Sequence, residues 1–437
     1  MILSRDKRGV LPSQMIAEAI NDGWIYSDHG EIPDSNIQPA SLDLQLGDVA
    51  YRLRASFLPG KEPVEEALRR YQMGRIDLGG NDGGILEQNR PYLIPLAESL
   101  RLPEVVRAKA NPKSSTGRLD VFTRVITDHS WMFDEVRSGY RGRLYLEVVP
   151  RAFTIRVRPG LTLNQLRLMV GREELTDEEI RELHAHTPVL FRRGAAVPAD
   201  QLAVHNGLFM GLHLGRESGL ELVGYRAKEN SSLIDLSRED YYPVRSFWEE
   251  VYSEGSKHGA RIILDPEKFY LLLSEDSVRI PPEYAAEMAA FEPRSGELRT
   301  HYAGFFDPGF GHFGEGLAGS QAALEVRAHD VPFAVEHGQR ICKLSFERMV
   351  EPPERLYGGY KLASNYQGQQ IALSKHFKRQ DHRAPTQATL FALLSRSGRR
   401  GARARPGDHL LKIRAYGHRR PGGRPARLRF GQKGTWR

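Results

Sequence analysis

The sequence predicts an all-β protein with a few short helices, arranged as two tandem lobes of one barrel or sandwich type. Three observations lead there. The chain repeats itself at a nearly constant offset. The repeated material is short, β-branched or alternating, and punctuated by Pro, Gly and Asp. Helical periodicity with a start signal occurs at only a few places.

The repeat comes first because it sets the organisation. ESLRLP, Glu98 to Pro103, returns as DSVRIP, Asp276 to Pro281, 178 positions later. PKSSTGR, Pro112 to Arg118, returns as PRSGELR, Pro293 to Arg299, at 181. LYLEV, Leu144 to Val148, finds AALEV, Ala322 to Val326, and NQLRL, Asn164 to Leu168, finds CKLSF, Cys342 to Phe346, both at 178. Four blocks in one order describe a duplicated domain.

Along the chain, Ser13 to Asp22 reads as a helix with Ser13 as N-cap. Phe153 to Val157 and Leu161 to Val170 read as strands. Thr176 to His184 reads as a helix, with Thr176 and Glu179 in a capping-box pattern. A third helix is expected over Val244 to Glu254, followed by strands at Arg261 to Leu264 and Gln321 to Val326. The division that follows is a first lobe over residues 1–172, a connecting segment over 173–200, a second lobe over 201–379 and a tail over 380–437. The tail is rich in Arg, Gly and Pro without a sustained apolar period, and is expected to be disordered.

Composition narrows the class. The chain has 437 residues, 40% apolar and 27% charged, with a formal charge of +7. The last 58 residues hold 13 Arg and 2 Lys against 2 Asp, so they carry +13, and the remainder is −6. The basicity therefore belongs to the tail, and nucleic acid is not expected as a partner except through it. No apolar run approaches the roughly 18–20 residues of a membrane span, and no signal-peptide pattern opens the chain, so a cytoplasmic protein is expected. The single cysteine, Cys342, excludes an intrachain disulfide and any Cys-x-x-Cys site.

Each lobe places Ser and Arg four apart in a turn expected to open a short helix: Ser114 and Arg118, then Ser295 and Arg299. With Lys113 or Arg294 before them, and Ser115 beside Ser114, such turns suit a phosphate, because hydroxyls and amides donate while cations offset charge. Alone, the pattern is more often plain helix capping. Its repetition, each time followed about 29 residues later by an acid within a strand, Glu147 or Glu325, favours a cleft. A carboxylate there can shuttle protons near neutral pH.

IQPASLDLQLG (Ile37 to Gly47), PKSSTGR with LYLEV, AGFFDPGFG (Ala303 to Gly311) and NYQGQQ (Asn365 to Gln370) together resemble dCTP deaminase of the dUTPase-like superfamily, in its long, tandem-lobed bacterial form. The resemblance covers about residues 10–379. It implies two dUTPase-like distorted β-barrel lobes and conversion of dCTP to dUTP and ammonia. It also implies Mg²⁺ accompanying the triphosphate, no zinc, and a trimer-like homo-oligomer. Carried across, Ser114, Arg118 and Glu147 match the family's Ser, Arg and water-activating Glu, and Ser295, Arg299 and Glu325 match them in the second lobe. Asp307 matches a loop that meets sugar and pyrimidine. Tyr366 and Gln370 fall in a C-terminal segment that closes over the nucleotide.

Two decoys are set aside. His29-Gly30-Glu31 matches the H-x-E of zinc deaminases, which also need a cysteine pair that this chain lacks. Gly309, Gly311 and Gly314 match G-x-G-x-x-G but follow Asp307-Pro308 among β signals rather than opening a helix. The lobes are not equal copies: the first has Asp128-His129-Ser130-Trp131 where the second has its Asp307 loop, and the second has Gly296-Glu297 where the first has Ser115-Thr116. Both lobes active, one decayed, or a composite site are the arrangements this leaves, and the composite is expected. The rival functions are dUTP pyrophosphatase or a bifunctional enzyme on the same scaffold, and a non-catalytic nucleotide-binding regulator.

Overall fold

In the computed structural model, the described residues are 7–215, 220–254, 259–288, 298–300, 304–312, 319–359 and 373–379. They are mostly β. In the first lobe one sheet runs Gly9–Val10, Thr162–Val170, Val106–Pro112, Glu135–Val136, with Leu42–Gln45 also on the Thr162–Val170 strand. A second runs Gln72–Asp77, Val49–Leu53, Tyr92–Arg101, Arg141–Pro150, Val121–Thr127. Their facing apolar residues, among them Leu44, Ile94, Leu146 and Leu166, are wholly buried in one core. Alternation along each strand puts these residues inward.

The duplication is written into strand register. Leu168 stands opposite Ala108 in the first lobe, and Phe346 opposite Ala286 in the second. Glu147 faces Leu93, and Glu325 faces Leu271. Even a buried carboxylate contact repeats: Glu98 accepts from the amide of Gln45 at 2.9 Å, and Asp276 from that of Gly211 at 3.0 Å. A one-residue slip would reverse every side chain, so a shared register implies a shared inside and outside.

Helices follow the sequence in part. Thr176 caps Asp177–His186 through a complete capping box. At the first helix, Ser13–Asn21, the N-cap is Pro12, and Ser13 is already helical with its hydroxyl turned to Gln14. The expected helix over Val244 to Glu254 is one turn, Val244–Phe247, and Trp248–Glu254 is a strand paired with Leu220–Ala227. Trp248, Val251 and Tyr252 favour a pleated surface, and a partner strand is present to take their backbone. A further helix, Val64–Tyr71, follows Pro63 as its N-cap, with Glu65 and Glu66 in its first turn. Among the described residues no helix is long and apolar enough to cross a membrane.

The lobes share core and charge. Phe247, Trp248, Phe269, Leu373 and Phe377, late in the chain, pack into the first-lobe core. Gly9 (φ +131°) lies against the second lobe, where a Cβ would stand 2.7 Å from the carbonyl oxygen of Arg348. Buried or half-buried ion pairs cross between the lobes at Lys109–Glu287, Arg167–Glu347 and Asp120–Arg327.

Candidate active site

The Val106–Pro112 strand ends in a prolyl residue, and the chain turns through Lys113 into the one-turn helix Ser114–Gly117. Lys113 reaches back, with Nζ 2.5 Å from Asp43 Oδ2 and 2.8 Å from Thr162 Oγ1. Burial raises the pKa of Asp43, against the pull of Lys113. The base thus arrives already partnered. Ser114 is exposed, whereas Ser115, Thr116 and Arg118 are buried.

Against this turn lies the second lobe. Glu325, on the Ser320–Ala328 strand, places its carboxylate on Gly117, so that a Cβ there would be 2.5 Å from Oε2. One pocket is lined by Lys113, Ser114, Gly117 and Arg118 from the first lobe, and by Asp307 and Glu325 from the second. Phe305, Phe310 and Tyr357 supply apolar wall. Burial pushes the Glu325 carboxyl well up; Arg118 opposes this and Asp120 adds to it. Desolvation outweighs the one guanidinium beside it, so the carboxyl lies above the usual carboxylate range. Asp307 is raised to about 6 by burial, against Arg167 and with Asp43.

Glu147 does not reach this pocket. It is fully buried, and Oε1 takes two bonds from Arg124, Nε at 3.1 Å and Nη2 at 2.5 Å. Arg124 in turn stacks 3.6 Å from the centroid of Phe133 and bonds Ser56 Oγ at 2.9 Å. The neighbouring cluster of Phe57, Val64 and Leu68 covers that side of Tyr145 and Leu93. Arg299 is placed by backbone alone, in Leu298–Thr300 opposite Arg327, a strand where the first lobe has a helix. Leu298 stands where the first-lobe turn has Gly117. Arg294, Ser295, Tyr366 and Gln370 lie outside the described residues.

Ser115, expected beside the substrate, does not line the pocket; it is buried, and its carbonyl accepts from Ser374 Oγ at 2.7 Å. Residues missed by sequence reasoning are Gly117, Arg167, Gln321 and the aromatic wall. Gly117 had a usable signal, a glycine inside a helical turn. Arg167 had none, since a strand arginine is ordinarily solvated. Among the described residues no group of three or more His, Cys, Asp or Glu is placed to hold a metal. Cys342 is buried in the second core, its thiol pushed up to about 12 by burial.

The chain matches the model of the 2′-deoxycytidine 5′-triphosphate deaminase N-terminal domain over residues 7–172 and that of the C-terminal domain over residues 176–377. A dCTP deaminase of Thermococcus gammatolerans is 31% identical over 134 residues, 29% of this chain and 76% of that one. A dUMP-forming dCTP deaminase of Methanobrevibacter smithii is 33% identical over 123 residues, 27% of this chain and 59% of that one. The crystal structure of 2′-deoxycytidine 5′-triphosphate deaminase from Agrobacterium tumefaciens superimposes with a TM-score of 0.71 at 43% identity, covering 78% of this chain and 99% of that one.

Proposed function

The chain belongs to the dCTP deaminase family, an enzyme family, and on that premise we propose that one composite site per chain deaminates dCTP to dUTP and ammonia, with Glu325 as the proton-transfer group. The observation that carries this is the Glu325 carboxylate seated on Gly117 of the other lobe, beside Arg118. Once ionised, Glu325 takes a proton from water as the oxygen bonds to C4 of cytosine. The C4=N3 electrons move to N3, to which Glu325 delivers that proton. Glu325 then takes the remaining proton of the C4 hydroxyl and passes it to N4 as the C4=O bond forms and the C4–N4 bond breaks, releasing ammonia. Its raised pKa fits both halves of that cycle.

Ser114 and Arg118 face the nucleotide in this reading, and Lys113 adds charge from within its pair with Asp43. Mg²⁺ is placed on the triphosphate, whose oxygens suit a hard cation. A protein-bound zinc has no thiolate pair to use, which supports water activation by the glutamate alone. The opposite combination, second-lobe turn with Glu147, is disfavoured by Leu298 at the Gly117 position and by the Arg124 clasp. Homo-oligomers remain part of the reading, checked by light scattering.

Incubation with dCTP and Mg²⁺ tests it: release of ammonia with dUTP is expected, and its absence refutes the assignment. A second reading, in which dUTP is further cleaved to dUMP and pyrophosphate, is favoured by the dUMP-forming relative and by Asp307 in the same pocket. Phosphorus NMR of the products separates the two.

A further inference from the structure

Arg167 is a wholly buried arginine of the first lobe, on Thr162–Val170. Its Nη1 donates to Glu347 of the second lobe and to the carbonyl of Ala286 at 3.3 Å. Its guanidinium lies 3.9 Å from the ring centroid of Phe305, and its Nη2 is 3.5 Å from Asp307 Oδ1. Among the described residues neither Nη2 nor Oδ1 has a hydrogen-bond partner. Asp307 is nine-tenths buried and lines the pocket, as does Phe305.

Two comparisons separate this arginine from ordinary interlobe cement. The pairs Lys109–Glu287 and Asp120–Arg327 also join the lobes, but none of these four residues lines the pocket. At the repeat offset of 178, moreover, Arg167 corresponds to Ser345 and Glu347 to Met169. The arginine exists only in the first lobe and its anchor only in the second, so this contact requires the two unlike lobes. Burying a guanidinium costs several kcal/mol before pairing, and here the paired group carries two pocket residues on its face and edge.

We propose that Arg167, fixed by Glu347, is a positioning residue that holds the Phe305–Asp307 segment so that Asp307 can accept a hydrogen bond from the nucleotide. The proposal rests on the deaminase reading of the pocket. A charge-neutral replacement of both anchoring partners, Arg167→Met with Glu347→Met, removes the support without leaving Glu347 as a buried unpaired charge, although Asp307 loses its neighbouring cation.

The test measures dCTP dissociation constants by calorimetry, and ammonia release in parallel, on the full chain. The paired Met variant is expected to melt near the wild-type temperature, with Kd and KM raised about tenfold and kcat changed less than about threefold, the signature of lost binding rather than lost chemistry. Asp307→Asn is expected to weaken binding similarly, and adding the Met pair to it to change Kd less than about twofold, because contacting groups are not additive. Arg167→Lys keeps the charge but not the planar fork; a loss of about threefold is expected, vanishing in the Asp307→Asn background. The lysine cycle alone decides the matter if the Met pair does not fold. Wild-type Kd in a folded paired variant, or effects that multiply with Asp307→Asn, overturns the positioning role. Wild-type protein that binds dCTP but releases no ammonia overturns the deaminase reading instead, while the Kd cycle still reads the role of Arg167. Absence of dCTP binding overturns both.

Discussion

Gly117 of the first lobe and Glu325 of the second are in contact, with the position of a Gly117 Cβ 2.5 Å from Oε2 of the glutamate. Alanine is favoured over glycine in a helical turn by up to about 1 kcal/mol, so Gly117→Ala should fold normally. It should nevertheless lose deamination by roughly a hundredfold, because a displacement of about 1 Å at a reacting group costs that much. Unfolding curves and ammonia release on the same preparation check the pair of outcomes.

The two glutamates should part company. Glu325→Gln is expected to lower kcat by about 10²–10⁴ with little change in melting. Glu147→Gln should keep near-wild-type activity but lose about 1–3 kcal/mol of stability, since Arg124 gives up a charged partner in a buried setting. Equal loss of activity in both variants would refute the single-site reading.

Glu98 is fully buried, and burial raises its pKa to about 7. The unfolded chain releases this proton near the ordinary 4.5 while the folded chain holds it to about 7, so stability falls as pH rises through that window and then levels. Glu98→Gln removes the titration. Its stability relative to wild type should therefore increase by about 3 kcal/mol between pH 4.5 and 8, measured by urea denaturation.

Phe377 is fully buried among Phe247, Trp248 and Tyr242, in the core of the first lobe. Phe377→Ala should cost about 3–5 kcal/mol. The loss should appear as one cooperative transition if the late segment and the first lobe unfold together, with fluorescence and circular dichroism coinciding.

Much of the architecture was legible because it rests on local pattern and on the repeat. Arg261–Leu264 was bounded correctly, and the Thr176–Glu179 box was readable because both partners lie within one turn. Trp248–Glu254 was misread because its strand partner, Leu220–Ala227, lies more than twenty residues away and nothing local announces it. Of the site, Ser114, Arg118, Asp307 and Glu325 meet in one pocket. Glu147 is sealed by Arg124, whose aromatic seat on Phe122 and Phe133 no spacing rule connects to it.

The sequence by itself determined that the fold is doubled and which residue types each copy can offer, since strand alternation and turn chemistry are properties of neighbours along the chain. Only the tertiary structure decided which copy's turn meets which copy's carboxylate. Both lobes keep a glutamate in the same register, so the choice falls to contacts between residues far apart in sequence: Gly117 leaves room for Glu325, and Arg124 closes over Glu147.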